Sequence, residues 1–314
     1  MNSRMRSLLG TLARTLVTII LLVYVVTRVE LDQASSAVQR MAWWGFAGTF
    51  LLLTVNMGLQ WLRWHILVRA GNLELTPSQS LRILLAGLPL GLITPGRIGE
   101  LGRGAVVAGE HDSVSVAGLT LLEHSYGLVG ALTIAGVGMV ISGYATYLSF
   151  AILLIFYAFV IYLALHPSKI VDWTKRLSSI LPGTLGARSS EISSRFAQGW
   201  RLTGRKVAFK AIAVSVVQVL TVVAQFTVAY MATGAHPSII HVAGAWSIVI
   251  GVKYFLPITI GDVGVREGLA VAVFTSLGYP APEALIASLT IYLVNVILPS
   301  AIGAVILLQR KRYQ

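Results

Sequence analysis

The sequence predicts an all-α polytopic membrane protein, and three observations carry that prediction. Of 314 residues, 56% are hydrophobic and only 11% charged, where a soluble domain carries about 25% charged residues. The mean hydropathy is +0.79, and the apolar residues fall in runs of about 20 or more, enough for a helix to cross the hydrocarbon core. The formal charge of +12 lies in the connections between those runs. Charge so placed orients a chain and draws it to anionic lipid rather than to nucleic acid. The chain has no cysteine, which excludes disulfides, thiolate metal sites and cysteine nucleophiles.

Six runs read as full spans of one membrane domain, residues 7–28, 41–68, 114–142, 145–165, 207–232 and 284–308. The first resembles a signal peptide in placing Arg4, Arg6 and Arg14 around the start of a short apolar core. Arg28 and Glu30 come after it without a small-residue cleavage site, so a retained anchor is expected. The connection 166–206 carries Lys169, Lys175, Arg176, Arg188, Arg195, Arg201, Arg205 and Lys206 against Asp172 and Glu191. It belongs in the cytoplasm with the basic N-terminus and with Arg310, Lys311 and Arg312 at the C-terminus. The segments 29–40, 143–144, 233–238 and 278–283 lack a cationic excess and belong outside. Within 166–206, Ile170, Trp173, Leu177 and Ile180 recur at helical spacing, as in an amphipathic helix on the inner leaflet or a solvated linker. The expected location is the inner cell membrane, multi-pass, with both termini cytoplasmic.

Two regions break this pattern. Residues 79–112 lie between two ends on the inside, and residues 239–277 between two on the outside, so each enters and leaves by one face. Each is an apolar arm, a Gly/Pro break and a second arm. The breaks read LITPGRIGELGR (92–103) and LPITIGDVGVREG (256–268); Thr94, Gly96 and Gly99 align with Thr259, Gly261 and Gly264 without a gap. Span, re-entrant hairpin and span thus occur twice, about 41–142 and 207–308, in opposite orientation. That is an inverted-topology repeat, common in transporters.

Irregular backbone at membrane depth is tolerated where protein or a water-filled cavity satisfies it. Thr94 and Pro95 suit the N-cap and first position of a returning half-helix, and Asp262 suits the N-cap of the second. Helix N-termini attract anions. Arg97 and Arg103 at one break and Arg266 at the other add full charge in a planar fork that suits phosphate. Glu100 and Glu267 stand close enough to neutralise these arginines, which opens a purely structural ion-pair lock as the alternative. Each ionisable group at mid-bilayer costs about 2.5–3.5 kcal/mol, and such groups mark pathways by default. Elsewhere, Glu123 and His124 could relay protons or brace packing, and Lys253 faces either a cavity or Asp262. Arg63 and Trp64 read as a snorkelling pair at the inner end of their span. Asn56, Gln60, Gln218, Gln225 and Asn295 read as interhelical hydrogen-bond partners.

With these residues in hand, the chain resembles the lysylphosphatidylglycerol synthase transmembrane-region family of flippase-like membrane proteins. The resemblance rests on TPGRIGELGR and LPITIGDVGVREG in order, Arg63-Trp64 in the second span and Glu123 early in the third, and it covers nearly the whole chain. It implies functional roles for Pro95, Gly96, Gly99, Glu100 and Arg103, and for Pro257, Gly261, Gly264, Arg266 and Glu267. In bifunctional members the membrane part is credited with moving a lysyl-phospholipid between leaflets; stand-alone relatives are linked to polyprenyl-phosphate sugars and other envelope lipids. Two departures are visible. Glu123 is followed by His124 where the family pattern implies Arg, and no aminoacyl-transferase domain follows before Gln314, so aminoacyl-lipid synthesis is not expected.

The expected function is therefore leaflet-to-leaflet translocation of a phosphate-bearing lipid, by a protein that is not an enzyme and uses no cofactor or metal. Its expected partners are membrane lipids, anionic or of polyprenyl-phosphate type, with a second copy or envelope-synthesis enzymes as further candidates. A membrane enzyme acting on lipid phosphates and a non-transporting scaffold are the alternatives. Against the enzyme, the six histidines are scattered and no DxD or HxxxH pattern occurs.

Overall fold

A computed structural model describes residues 23–25, 27–94, 96–106, 112–143, 147–166, 200, 202–254 and 264–310. All regular structure among them is helical. The elements are α1 (Leu31–Arg40), α2 (Trp43–Ala70), α3 (Pro77–Leu92), a 3₁₀ turn (Ile98–Gly102), α4 (Arg103–Val106), α5 (Ser113–Ile141) and α6 (Tyr147–Leu165). They continue with α7 (Arg205–Ala232), α8 (Ile239–Lys253), α9 (Val265–Ser276) and α10, whose helix Ala281–Tyr292 passes through a π turn at Leu293–Ile297 into Leu298–Arg310.

Four helices among the described residues are long and apolar enough to cross a membrane: Trp43–Ala70, Ser113–Ile141, Arg205–Ala232 and Ala281–Gln309. They coincide with four of the expected spans. A fifth expected span is helical over Tyr147–Leu165. Most of 7–28 and of the expected interfacial helix in 166–206 lies outside the described residues. The large apolar side chains that remain exposed, such as Trp43, Leu51, Ile155, Phe209 and Leu308, point away from the packed interior, as lipid-facing residues do.

Local chemistry accounts for the element ends. Thr76 and Gln79 form a reciprocal capping box: the Gln79 amide donates to Thr76 Oγ1 at 3.2 Å and the Thr76 amide to Gln79 Oε1 at 2.8 Å. Pro77 takes the first helical position, where its missing N–H costs nothing. Asp112 caps α5 by accepting from the Val114 amide at 3.3 Å and from Ser115 Oγ at 2.8 Å.

The packing is reciprocal. Helices α2 and α7 lie against each other at the centre; α8 packs on α5, and α3 on α10. Small residues let these backbones approach closely. A side-chain carbon at Gly45 would collide with Ala232, one at Gly251 with Ala135, and one at Gly303 with the Leu85 carbonyl. Two apolar clusters result. One centres on Phe226, Tyr230, Trp246 and Phe274, the other on Trp64, Leu119, Leu122 and Tyr126. The polar site lies between them, where α2, α5, α7, α8 and α10 meet the two Gly-rich breaks.

Both breaks differ in detail from the half-helices expected of them. Thr94 is not the N-cap, a position that falls to Arg97; its hydroxyl instead accepts from the Gly99 amide at 2.7 Å while donating to the Leu90 carbonyl at 2.9 Å. Beyond it the chain forms a tight 3₁₀ turn running into the four-residue α4, not a regular returning half-helix. The reason is the turn between them: Gly96 and Arg97 are both left-handed, with φ of 58° and 59°, and Arg97 is the residue before the 3₁₀ segment. At the second break the N-cap position of α9 is Gly264, with φ 87°, not Asp262. Glu267, three residues on, accepts from the Gly264 amide at 2.9 Å, the half of a capping box that needs no side chain at the N-cap. Pro95, Pro257, Gly261 and Asp262 themselves lie outside the described residues.

Candidate functional site

The site begins with a buried ion network. Glu100, on the 3₁₀ turn, meets Arg97 at 2.6 Å, Arg103 at 2.5 Å and His124 Nε2 at 3.3 Å. Arg103 reaches onward to Glu123 on α5. Glu123 in turn meets Arg63 of α2 at 3.1 Å. Arg103 and Glu123 have side-chain exposures of 0% and 1%, so neither has water as a substitute partner. Arg103 also lies over the Trp64 ring, 5.1 Å from its centroid, a cation–π contact strengthened by desolvation. Three guanidiniums thus meet two carboxylates, and the surplus is positive.

Glycines on α3 make room for this network. A side-chain carbon at Gly87 would lie 2.5 Å from Arg103 Cγ, and one at Gly91 would lie 2.6 Å from Glu100 Cγ. One helical turn apart, they form a slot in which the ionic side chains lie against bare backbone.

Arg63 connects the network to a row of amides. Its Nη1 donates to Gln218 Oε1 at 2.6 Å and to Ser215 Oγ at 3.1 Å. Gln218 donates to Asn56 Oδ1 at 3.1 Å, and Asn56 donates to Asn295 Oδ1 at 3.1 Å. Asn295 and Gln225 exchange two further hydrogen bonds at 2.9 and 3.1 Å. Asn295 sits on the π turn of α10, the kind of helix bulge often found at functional sites.

The second break is wired differently. Arg266 and Glu267 at the start of α9 pair with each other. Arg266 Nε also donates to Ser288 Oγ at 3.1 Å, and its guanidinium lies 4.6 Å from the Tyr292 ring centroid.

A cavity of about 150 Å³ occupies the space between these groups. Asn56, Gln60, Arg63, Arg97, Glu123, His124, Gln218, Lys253, Arg266 and Asn295 present polar side chains to it, and Gly127 lies in its wall. A water needs roughly 10–15 Å³ by the same measure, so the space suits several waters or a headgroup. A second depression, bounded by Gly96, Ile98, Leu101, Leu121 and Leu128, shares Arg97, His124, Lys253 and Tyr254 with the first. Ile98 and Leu121 are exposed, so this depression opens on the apolar flank of the molecule.

Of the arginines singled out in the sequence, Arg97 and Arg266 line the cavity together with Lys253. Arg103 does not; it is sealed behind the cavity wall between Glu100 and Glu123. Glu123 and His124 both reach the cavity, and His124 contacts Glu100 as well. Glu100 and Glu267 hold arginines without lining the cavity. Gly99 packs so closely that a side-chain carbon would strike the Leu90 carbonyl. The residue that sequence reasoning missed is Arg63, which is 6% exposed and pairs with Glu123 rather than snorkelling to the interface. A signal was present: Asn56, Gln60 and Arg63 recur at i, i+4 and i+7, a polar stripe on one face of an otherwise apolar helix. Among the described residues, no group of three or more His, Asp or Glu stands close enough together to hold a metal.

A helical chain with four apolar span-length helices around a cationic, amide-lined cavity is an integral membrane protein. The model of the lysylphosphatidylglycerol synthase TM region matches residues 11–303, and the chain belongs to that family. No curated protein matches the chain.

Proposed function

We propose that this protein translocates a phosphate-bearing lipid between the leaflets of the cell membrane, with the cavity as its headgroup site. The carrying observation is the convergence of Arg63, Arg97, Lys253 and Arg266 on one cavity that also opens to the apolar flank. Membership in a lipid-associated membrane family is consistent with this. In this reading Arg97, Arg266 and Lys253 contact the phosphate and Arg63 backs them. Arg103, Glu100 and Glu123 form a brace that fixes the first break. A headgroup would enter by the flank past Tyr254 and Ile98, its acyl or prenyl chains staying in lipid. Catalysis plays no part in the reading.

The proposed architecture behind it is six spans and two re-entrant hairpins in an inverted repeat, with both termini cytoplasmic. The reciprocal packing of α8 on α5 and α3 on α10 supports it, since each pairs the first arm of one break with the last span of the other repeat. Because the chain is cysteine-free, single cysteines at Ser78, Ser178 and Ser238 test the topology by labelling in intact cells. Ser238 should react from outside and the other two only after permeabilisation; external labelling of Ser178 overturns the orientation.

Translocation itself is tested in proteoliposomes carrying a fluorescent phospholipid, by dithionite quenching of the outer leaflet. The chain should accelerate exchange, and Arg97→Ala and Arg266→Ala should each slow it by about tenfold or more, as expected when a hydrogen-bonded charge contact is lost. Chemical turnover of the lipid without exchange would instead make the protein an enzyme.

A further inference from the structure

His124 lines both the enclosed cavity and the depression that opens on the apolar flank. Its Nε2 stands 3.3 Å from Glu100 Oε2, the oxygen that also meets Arg103, while Arg97 meets Oε1 at 2.6 Å. Glu100 thus divides one negative charge between two guanidiniums and an imidazole. Arg103 is sealed, whereas the side chains of Arg97 and His124 are 30% and 36% exposed and border the space a ligand would fill.

Histidine is the side chain whose charge ordinarily changes between about pH 5 and 8. Neutral, the imidazole leaves the Arg97–Glu100 pair undisturbed. Protonated, it becomes a third cation on the same carboxylate, and like charges converging on one partner in a low-dielectric site repel. Arg103 has no room to give way, held by Glu100, Glu123, the Trp64 ring and the bare backbone of Gly87. Arg97 lies on the open side and can turn into the cavity, where its charge meets an anion instead of Glu100.

The charges around His124 make its proton depend on that anion. Arg97, Glu100 and Arg103 face it from the first break, Glu123 from its own helix and Arg63 from α2. Lys253 and Tyr254 come from the end of α8, and Arg266, paired with Glu267, from the start of α9. Among the described residues, α6, α7 and α10 add no charged side chain to either space. The two nearest carboxylates, Glu100 and Glu123, are already divided among Arg63, Arg97 and Arg103, so a protonated His124 has no carboxylate to itself. A bound phosphate supplies the negative charge it lacks. Proton and anion therefore favour each other's binding, and such coupling is reciprocal.

We propose that the headgroup site takes up a proton together with its anion, His124 accepting the proton and thereby releasing Arg97 from Glu100 to the phosphate. This rests on the headgroup-site reading and adds the coupling ion to it. The proton adds from water to the ring nitrogen that carries none and returns to water when the anion leaves; no covalent bond of the lipid changes. A carrier loaded in this way moves its lipid with a proton gradient.

The test uses the purified full chain in detergent and dioctanoyl-phosphatidylglycerol, a phosphodiester whose own charge stays constant over the range. Calorimetry between about pH 5.5 and 8.5, which spans histidine titration, is run in buffers of different ionisation enthalpy and so counts the protons taken up. The probe should bind about tenfold or more tightly at the acid end, within the usual range of coupling between two sites, with net proton uptake near neutrality. His124→Gln, which cannot charge, should show the alkaline affinity throughout and no uptake. His124→Arg, permanently charged, should show the acid affinity, again without uptake. His166→Gln, at an exposed histidine beside Arg205, should behave as the parent. Arg97→Gly should lose most of the pH dependence, since the charge that His124 releases is gone, and this variant carries the assignment where a His124 variant fails to fold. Binding without pH dependence or proton uptake overturns the inference and leaves the headgroup reading standing, as does full pH dependence in folded His124→Gln or Arg97→Gly. If the probe binds at no pH, both fall.

Discussion

The two Gly-rich breaks share a sequence pattern and differ in how their charges are wired. At the first, Arg103 holds Glu100 within its own segment and reaches away to Glu123 on α5 and, through it, to Arg63 on α2. At the second, Arg266 and Glu267 are sequence neighbours that satisfy each other, with Ser288 beside them. The first arrangement ties three segments of the chain together; the second completes the start of a single helix. A distributed network cannot lose one member without stranding the others in low dielectric. A local pair can trade one partner for a ligand oxygen. The comparison assigns rigidity to the first break and exchangeable charge to the second, although the motifs alone look interchangeable.

The largest effect that would break this contrast is at Glu123. Glu123→Ala takes from Arg63 its carboxylate partner and from Arg103 one of two, both arginines being buried, and should cost about 3–5 kcal/mol, the range for removing one partner of a buried pair. The expected result is a chain that is poorly recovered from membranes or melts far lower in detergent; a normal melting temperature would show that the network is not a brace.

Next comes the glycine slot. Gly87→Ala places a carbon against Arg103 and should lower stability by about 1–3 kcal/mol, the usual cost of overpacking. Gly127→Ala, whose added carbon would have ordinary contacts with Arg63 and Tyr254 at 3.5 and 3.7 Å, should leave melting unchanged. Equal melting of the two variants would remove the steric account.

The second break should lose function before stability. The double variant Arg266→Ala with Glu267→Ala removes a locally closed pair together, so it should melt within about 1–2 kcal/mol of the parent, yet fail in the lipid-exchange assay. Full exchange by the folded double variant would defeat the substrate role of Arg266 and leave the pair as a structural lock.

The smallest effect is at Arg97. Its left-handed backbone costs about 1–2 kcal/mol relative to glycine, and its ion pair with Glu100 is 30% exposed on the arginine side, worth about 1 kcal/mol or less. Arg97→Gly should therefore change stability by about 1 kcal/mol or less while slowing lipid exchange. A large destabilisation would place Arg97 with the brace rather than with the cavity.

Much of this molecule is local information. Four long helices, their apolar outer faces, the Thr76–Gln79 and Asp112 caps and the positions of both breaks come from hydropathy and short-range hydrogen bonding, which depend on residues within a turn or two. The polar residues of interest were legible for the same reason, since an arginine or carboxylate inside an apolar run is conspicuous by itself. Their division of labour was not. Arg103 and Arg97 are equally basic and six residues apart, yet one is sealed against Trp64 while the other reaches the cavity. Arg63 reads as an interfacial residue until α5 and α7 bring Glu123 and Gln218 to it from 60 and 155 positions away. Gly87 and Gly91 read as ordinary small residues until Arg103 and Glu100 fill the slot they leave. Which charge is paired and which faces the cavity depend on packing between segments remote in sequence. Side-chain chemistry fixes what each group can do, and only the tertiary arrangement decides which partners are within reach to do it.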